Sequence, residues 1–531
     1  MINLRPYQQQ AIKDITNFFV SGGKHCILQS PTGSGKTVIF SELARLVSMK
    51  GNKVIIFTDR AELLNQAGGA LKKVGLQAYY IEAGCNVVSN AFNCFVAMSQ
   101  TFRRRIGKPY WDEFLKSCNL IIIDECHIQE FNYLFESGLL FDKYVIGFTA
   151  TPKHSGKMRQ LGLDYEKIIE TISVKELINQ GWLVNDDYYG FASPDLEGVE
   201  IDRMKGDYKE NQLFKKFDSP ALYQGVVSNY TKITPNTKSL VFCVNIEHCI
   251  KTAIEFNQAG IEAKFIVSNV SKPKMISDGE GAKARYEERL RVYELFEKWK
   301  RIYSGEREQV FNWFNKSKNG ILINAGIATK GFDQPDIETV ILNRATLSLT
   351  LLLQMLGRGS RISEGKTHFN ILDFGGNCER LGYYTENREW SNCLWHEESN
   401  GGGLPPIKEC GFDSKRKPIS GNKTGCRRLI LAAYKICPFC GFKYPEKTHK
   451  EIDLEAIFFD QQQKRAIKTK LIKDMSFDEL DQYRKEKGHK MAWLWRQLWY
   501  KGGEEAIEDF GTEKGWNLGT IEKAVSFCRG M

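Results

Sequence analysis

The chain has 531 residues, 42% of them hydrophobic and 26% charged, which is ordinary for folded proteins and excludes a largely disordered chain. At roughly 100 to 200 residues per domain this length suggests three or four units, and 74 basic against 64 acidic residues leave a charge of +10, which permits a polyanionic partner without demanding one. No apolar run suits a signal peptide or a membrane span, so the expectation is a cytoplasmic protein whose 14 cysteines form no disulfide framework.

From Leu4 to about Tyr189 short apolar runs alternate with helical stretches. His25 to Gln29, Lys53 to Thr58, Asn93 to Met98, Leu120 to Ile123 and Tyr144 to Phe148 read as strands of a parallel sheet covered on both faces. A polar, poorly periodic stretch over 191–219 reads as a linker. The same rhythm then resumes over 220–376, with strands at Ser239 to Val244, Ala263 to Val267, Gly320 to Asn324, Thr339 to Asn343 and His368 to Phe374. Inside this second domain 270–303 looks inserted. Tyr286, Leu290, Tyr293, Phe296 and Ile302 recur there at helical spacing among charges, which fits a surface helix packed on the domain or a contact for nucleic acid or another partner. A glycine- and proline-containing linker spans 377–406, a Cys-rich module 407–446, and a helical region 447–531. Trp495 and Trp499, one turn apart beside Leu494 and Leu498, belong to a small core or to a docking surface.

Ser30-Pro31-Thr32-Gly33-Ser34-Gly35-Lys36-Thr37 stands between a predicted strand and a predicted helix. It is a phosphate loop with Ser30 or Pro31 where the first glycine usually stands. Gly33 and Gly35 allow backbone N–H groups to curl around phosphates, Lys36 reaches the outer ones, and the Thr37 hydroxyl can ligate Mg²⁺. Ile121 to Ile123 ends in Asp124-Glu125-Cys126-His127. A carboxylate at that strand end is placed to hold Mg²⁺ through water, and the next can orient an attacking water, so Asp124 takes the metal and Glu125 the water.

Together with further segments in order, the phosphate loop and this D-E-C-H box resemble helicase superfamily 2. The resemblance covers about residues 4 to 376. It implies α/β architecture with two tandem RecA-like P-loop NTPase domains, followed here by a small zinc-binding module and a helical C-terminal domain. Leu4-Arg5-Pro6-Tyr7-Gln8 resembles the element that reads adenine, which adds Arg5 and Gln8 to Pro31, Thr32, Gly33, Ser34, Gly35, Lys36, Thr37 and Asp124 as ATP and Mg²⁺ residues. Thr58 to Gln66, with Arg60, and Met98 to Thr101, with Gln100 and Thr101, resemble segments that touch the nucleic-acid backbone. Thr149-Ala150-Thr151-Pro152 resembles the motif coupling ATP to strand binding, and His127 and Thr329 join this group. Ala328 to Pro335 is similar to the fifth motif, placing Gly331 and Asp333 at the nucleotide. Gln354 to Arg361 matches Q-x-x-G-R-x-x-R, the sixth motif, which implies catalytic roles for Gln354, Arg358 and Arg361 beside Lys36, Asp124 and Glu125. A planar, permanently charged guanidinium suits charge developing on a transferring phosphoryl group.

Ile371 to Asn377, followed by a Cys-rich module, is similar to the RadD-like branch, whose members are bacterial DNA-repair and recombination ATPases with similar proteins in phage replication regions. Cys437-Pro438-Phe439-Cys440-Gly441 has the shape of a zinc knuckle that Cys410 and Cys426 can complete, against the alternative of free thiols. Residues 408–450 hold eleven Lys or Arg against three Asp or Glu, with Phe412, Tyr434, Phe439 and Phe442 interleaved, which suits DNA or RNA contact or a solvated basic face. The expected cofactors are ATP, Mg²⁺ and structural Zn²⁺. The expected partner is nucleic acid, with DNA favoured, single-stranded or forked, together with replication or repair proteins such as single-strand-binding protein, and no membrane. The function implied is an ATP-driven helicase or translocase. A double-strand translocase that does not unwind, an RNA helicase and an ATP-switched nucleic-acid adaptor stand as alternatives.

Overall fold

The computed structural model describes residues 4–59, 68–153, 160–202, 204–268, 270–275, 280–326, 334–395, 407–409, 429–431, 442–443, 475–487 and 491–529. Two parallel sheets dominate the first and larger of its two units, in line with tandem RecA-like domains.

The first sheet has seven strands in the order β3-β4-β2-β5-β6-β1-β7: β1 His25–Gln29, β2 Val54–Thr58, β3 Tyr79–Ile81, β4 Cys94–Met98, β5 Leu120–Asp124, β6 Tyr144–Thr149 and β7 Lys167–Glu170. All its pairings are parallel. Val54–Thr58 is buried throughout, as a strand with helices on both faces must be. Ala11 and Ile15 of helix Pro6–Val20, and Ile39, Phe40, Leu43 and Ala44 of helix Lys36–Ser48, fill one face against Leu28, Ile56, Ile122 and Ile146. The short β3 and β7 lie at the two edges and carry too few residues to show a sequence pattern.

The second sheet runs β12-β13-β11-β14-β15-β8, again all parallel: β8 Asn185–Gly190, β11 Ser239–Cys243, β12 Ala263–Ile266, β13 Ile321–Asn324, β14 Thr339–Asn343 and β15 His368–Asp373. Asn185–Gly190, placed by sequence in the first domain, belongs here, with Asn185 opposite His368 and Gly190 opposite Asp373. The chain therefore crosses between sheets before Asn185.

The stretch expected as a linker over 191–219 is folded. Ile201–Asp202 pairs antiparallel with Asp207–Tyr208, and helix Glu210–Phe217 follows. Leu213, Phe214 and Phe217 repeat at helical spacing and pack with Val199 and Tyr208 on Val244 and Ala345 of the second domain. Asp207 fixes this seat by accepting from the Thr346 hydroxyl at 2.6 Å and from Leu347 N–H at 2.8 Å. Part of the second expected linker also docks: Trp390 and Ser391 N–H both donate to Glu170 at the first sheet's edge, at 3.1 and 2.9 Å. The inserted segment contains helix Glu280–Tyr303, with Phe296, Trp299 and Tyr303 packed on the second core.

The second unit, described by itself, contains helices Phe477–Lys487, Met491–Glu513 and Leu518–Arg529. Leu480, Leu494, Leu498, Ile507, Phe510 and Ala524 form its core, and Trp495 and Trp499 pack against it. The middle helix is kinked at Gly502 and Gly503, the latter at φ +67°. Among the described residues no helix is long and apolar enough to cross a membrane.

Candidate functional site

The phosphate loop leaves β1 at its carboxyl end and turns into helix Lys36–Ser48. Gly33 and Gly35 lie at φ +85° and +82°, where a side chain is strained, and a Cβ on Gly35 would stand 2.6 Å from Gln8 Nε2. Ser30, in place of the usual glycine, braces the loop: its hydroxyl donates to Ser34 Oγ at 2.6 Å and accepts from Thr171 Oγ1 at 2.8 Å. Lys36 Nζ points back into the loop and donates to the Ser30 and Pro31 carbonyls at 3.0 and 3.3 Å. A buried ammonium beside the first-turn N–H groups of a helix fits the outer phosphates of a nucleotide.

Arg5, Tyr7 and Gln8 form a ladder onto this loop. Arg5 Nη1 donates to the Tyr7 hydroxyl at 3.0 Å, which donates to the Ser34 carbonyl at 2.5 Å. Gln8 Nε2 donates to the same carbonyl at 3.1 Å, while its Oε1 accepts from Arg5 N–H at 3.0 Å. The Arg5 guanidinium lies over the Trp182 ring, 4.0 Å from its centre.

Asp124 ends β5, and Glu125 follows in the left-handed region at φ +52°, a conformation that turns its carboxylate away from the strand direction. Burial, and then the neighbouring Glu125, pushes the Asp124 carboxyl up to about 7, opposed by Lys36. Burial lowers the Lys36 ammonium, opposed by Glu125 and Asp124. These groups lie close enough to feel one another in a low-dielectric cleft, where an added divalent cation favours ionised Asp124. His127 Nδ1 lies 2.7 Å from Thr149 Oγ1 and 3.3 Å from Glu125 Oε2, and Thr151 N–H donates to Thr149 Oγ1 at 3.0 Å. A chain of side chains thus runs from the second carboxylate to the Thr149–Thr151 segment. Gln100, exposed, and Thr101, half-buried, start a short helix at the end of β4.

The second domain closes on this site. Helix Leu349–Leu356 carries Gln354, and Arg358 follows it; both are buried. A Cβ on Gly357 would come within 2.7 Å of the Thr32 side chain, so a glycine there lets the two domains touch at the phosphate loop. Burial lowers the Arg358 guanidinium to about 10, opposed by Glu125, and both Arg358 and Arg361 contribute to lowering Lys36.

The segment from Gly181 to Val184 touches the Arg5 ladder, the phosphate loop and the stretch that carries Arg361. Trp182 carries Arg5; Leu183 covers Gly33, a Cβ on which would meet Leu183 Cδ2 at 2.8 Å; Leu183 also bridges to Arg361, and Val184 N–H donates to the Ser360 carbonyl at 2.8 Å. Trp182, Leu183, Thr171 and Gly357 were assigned no role from sequence. Tryptophan and leucine carry no phosphate chemistry: Trp182 offers Arg5 an aromatic face, and the part of Leu183 is steric.

Arg60, Thr329, Gly331, Asp333, Cys410, Cys426, Cys437 and Cys440 lie outside the described residues. Among the described residues no cluster of His, Cys, Asp and Glu could hold a metal ion.

Residues 1–154 match the family described as type III restriction enzyme, res subunit, and residues 222–363 match the helicase conserved C-terminal domain. The ATP-dependent helicase IRC3 of Saccharomyces cerevisiae is 30% identical over 396 residues, covering 70% of this chain and 51% of IRC3. The 51.5 kDa protein of a Lactococcus phage is 26% identical over 85% of both chains. The fragment structure of an HsdR subunit of a type I restriction enzyme from Vibrio vulnificus shares the fold, with a TM-score of 0.50 and 22% identity over 71% of this chain and 65% of that one. The chain thus carries the paired domains of the superfamily 2 helicases, here closing on one phosphate loop. Within that class it pairs a restriction-res-type first half with a helicase C-terminal half, and is related to the IRC3 helicases and to the type I restriction subunits. The chain spans about half the length of the yeast relative.

Proposed function

We propose that this chain hydrolyses ATP in the cleft between its two parallel-sheet domains and uses the cycle to move along or unwind DNA, single-stranded or forked. The observation that carries this reading is the convergence of both domains on the phosphate loop: Gly357 rests on Thr32, and Arg358 faces the charge of Glu125.

In this reading Arg5 and Gln8 face the base, and Lys36 and the N–H groups after Gly33 bind the phosphates. Thr37 and Asp124 would hold Mg²⁺, which supplies charge neutralisation at the phosphates. Glu125 orients and deprotonates the attacking water. Arg358 and Arg361 stabilise the charge developing on the transferred group, with Gln354 beside them. His127, Thr149 and Thr151 pass the state of Glu125 toward the strand side, where Gln100 and Thr101 stand; the family resemblance assigns strand contacts to Arg60 and Thr329 and nucleotide contacts to Gly331 and Asp333.

The order of segments after the sixth motif supports the RadD-like branch, and the phage relative matched over 85% of both chains supports a phage or repair setting. Structural zinc on Cys410, Cys426, Cys437 and Cys440 belongs to the same proposal, as do contact with single-strand-binding protein and a cytoplasmic location.

The deciding experiment is ATP turnover with Mg²⁺, with and without single-stranded DNA, duplex DNA and RNA, for wild type and Lys36→Ala. Stimulation by single-stranded or forked DNA that the variant lacks supports the proposal. Stimulation by duplex without strand displacement moves the reading to a translocase, stimulation by RNA to an RNA helicase, and indifference to every nucleic acid to the adaptor.

A further inference from the structure

The second sheet carries a cleft of its own, away from the nucleotide loop. A cavity of about 700 Å³ opens over the carboxyl ends of its central strands, where Asn245 follows β11, Gly326 follows β13 and Arg344 follows β14. After β11 the chain passes to β12 and β13 on one side and then to β14 and β15 on the other, so the cavity sits at a switch in strand order, where open α/β sheets bind ligands.

Three observations say what it would take. Arg344 lines the cavity at only 9% exposure; its Nη2 is 3.6 Å from Asp207, but its buried Nε has no acceptor among the described residues. Leaving a guanidinium N–H buried and unmatched is costly unless a ligand oxygen reaches it. Beside it the 13-residue helix Ile246–Gln258 begins, capped by Asn245, and directs its N-terminal dipole toward the cavity.

The third observation is the inserted helix Glu280–Tyr303. Arg285, Arg289, Val292, Phe296, Trp299 and Tyr303 follow one another at steps of three or four and therefore form one stripe. The later half of the stripe is seated in the domain core, while the earlier half lines the cavity. A helix that only packed would continue this stripe with apolar residues. Instead it carries two exposed arginines, neither with an ion pair among the described residues. Arg291 pins the helix in register through a two-pronged bond to Glu247, at 2.7 and 2.5 Å. Three carboxylates also line the cavity, but Glu247 is matched by Arg291 and by Lys251 at 2.9 Å, and Glu210 by Lys205 at 3.1 Å. The unmatched balance is Arg285 and Arg289 against Glu288, beside the open Nε edge of an Arg344 that is already paired with Asp207.

We propose that helix Glu280–Tyr303 is a clamp arm, and that Arg285 and Arg289 close with Arg344 on phosphate esters of a nucleic-acid strand lying over the ends of β11, β13 and β14. This rests on the reading of the chain as a nucleic-acid motor. The mixed surface-helix and strand-contact expectations then describe two halves of one helix.

The test is fluorescence anisotropy of labelled oligo(dT) with the full chain, comparing wild type, Arg285→Ala/Arg289→Ala, and Glu287→Ala/Glu294→Ala as a matched surface control. The proposal expects the double arginine variant to bind about tenfold or more weakly. Two lost contacts lower the slope of log affinity against log salt by about 1.4, at roughly 0.7 per phosphate on single strands, while the control does neither. Equal affinity and equal slope in the arginine variant overturn the clamp and leave the motor reading standing. Absence of oligonucleotide binding by wild type overturns the motor reading itself. Competition by millimolar AMP or inorganic phosphate that is lost in the arginine variant shows that the cleft takes free phosphate esters, and overturns the strand assignment.

Discussion

Acid should loosen the second domain through one side chain, His248. The imidazole is enclosed by Phe214, Phe217 and Tyr223, with ring centres at 5.9, 5.8 and 5.5 Å. Its Nδ1 accepts from Val244 N–H at 3.3 Å and its Nε2 lies 3.1 Å from the Asn343 amide. Burial first, then Arg344 and Lys251, and against them Glu247, bring it from 6.5 to about 3. The folded form therefore refuses a proton that the unfolded chain binds, and stability falls as the pH drops below about 6.5 and stops falling below about 3. At 1.36 kcal/mol per unit the full interval amounts to about 5 kcal/mol, and the part already lost at pH 5 to about 2 kcal/mol. Urea unfolding followed by tryptophan fluorescence at pH 7.5, 6 and 5, for wild type and His248→Gln, measures it. The variant starts lower because the amide fills the aromatic box less well, but its loss on acidification should be smaller than wild type's by about 2 kcal/mol at pH 5. Parallel losses in the two proteins would refute the reasoning, since carboxylates common to both would then carry the whole acid response.

At the nucleotide side, Trp182→Ala removes the ring under Arg5 and should raise the KM for ATP by roughly 3- to 30-fold with little change in kcat, from a contact worth about 0.5 to 2 kcal/mol; steady-state kinetics separates the two constants. Gly35→Ala forces a side chain into φ +82° against Gln8, and a strain of about 1 to 2 kcal/mol in the binding loop predicts roughly 5- to 30-fold weaker ATP binding by calorimetry. Arg358→Ala should lower kcat by about 100- to 1,000-fold while leaving the dissociation constant for ATP within a few-fold, as for a group acting on developing charge. Replacing Cys437 and Cys440 by serine should abolish stoichiometric zinc measured by atomic emission; full zinc in that variant would remove the knuckle from the ligand set.

The phosphate loop was legible because its chemistry is a backbone demand. Only glycine takes the positive φ at positions 33 and 35 cheaply, so the motif announces the geometry. The buried strands were legible for a similar reason, since Val54–Thr58 and Leu120–Ile123 need apolar residues on both faces. Asn185–Gly190 was not: its buried positions alternate, and nothing local says which of two parallel sheets it will edge. The 191–219 stretch hid its packing because Leu213, Phe214 and Phe217 are surrounded by charges and their partners, Val244 and Ala345, lie far along the chain. Trp182 was silent because its ring serves a distant neighbour, Arg5, and Gly357, although part of the sixth motif, meets Thr32 only through the fold. The residues assigned chemistry were chosen by type, whereas those that hold the domains together are known only from contacts.

The crossing at Gly181 to Val184 has a mechanical consequence. Leu183 is wedged against the phosphate loop, Val184 is bonded to the segment between Arg358 and Arg361, and β8 starts at the next residue. The pivot between the domains is therefore placed within reach of the nucleotide, with no slack cord to absorb a small displacement. In the proposed ATP cycle, a lever with its fulcrum there would turn a shift of a single phosphate's width near the axis into a longer sweep at the far rim of the second sheet, and its gearing would be set by where the chain crosses.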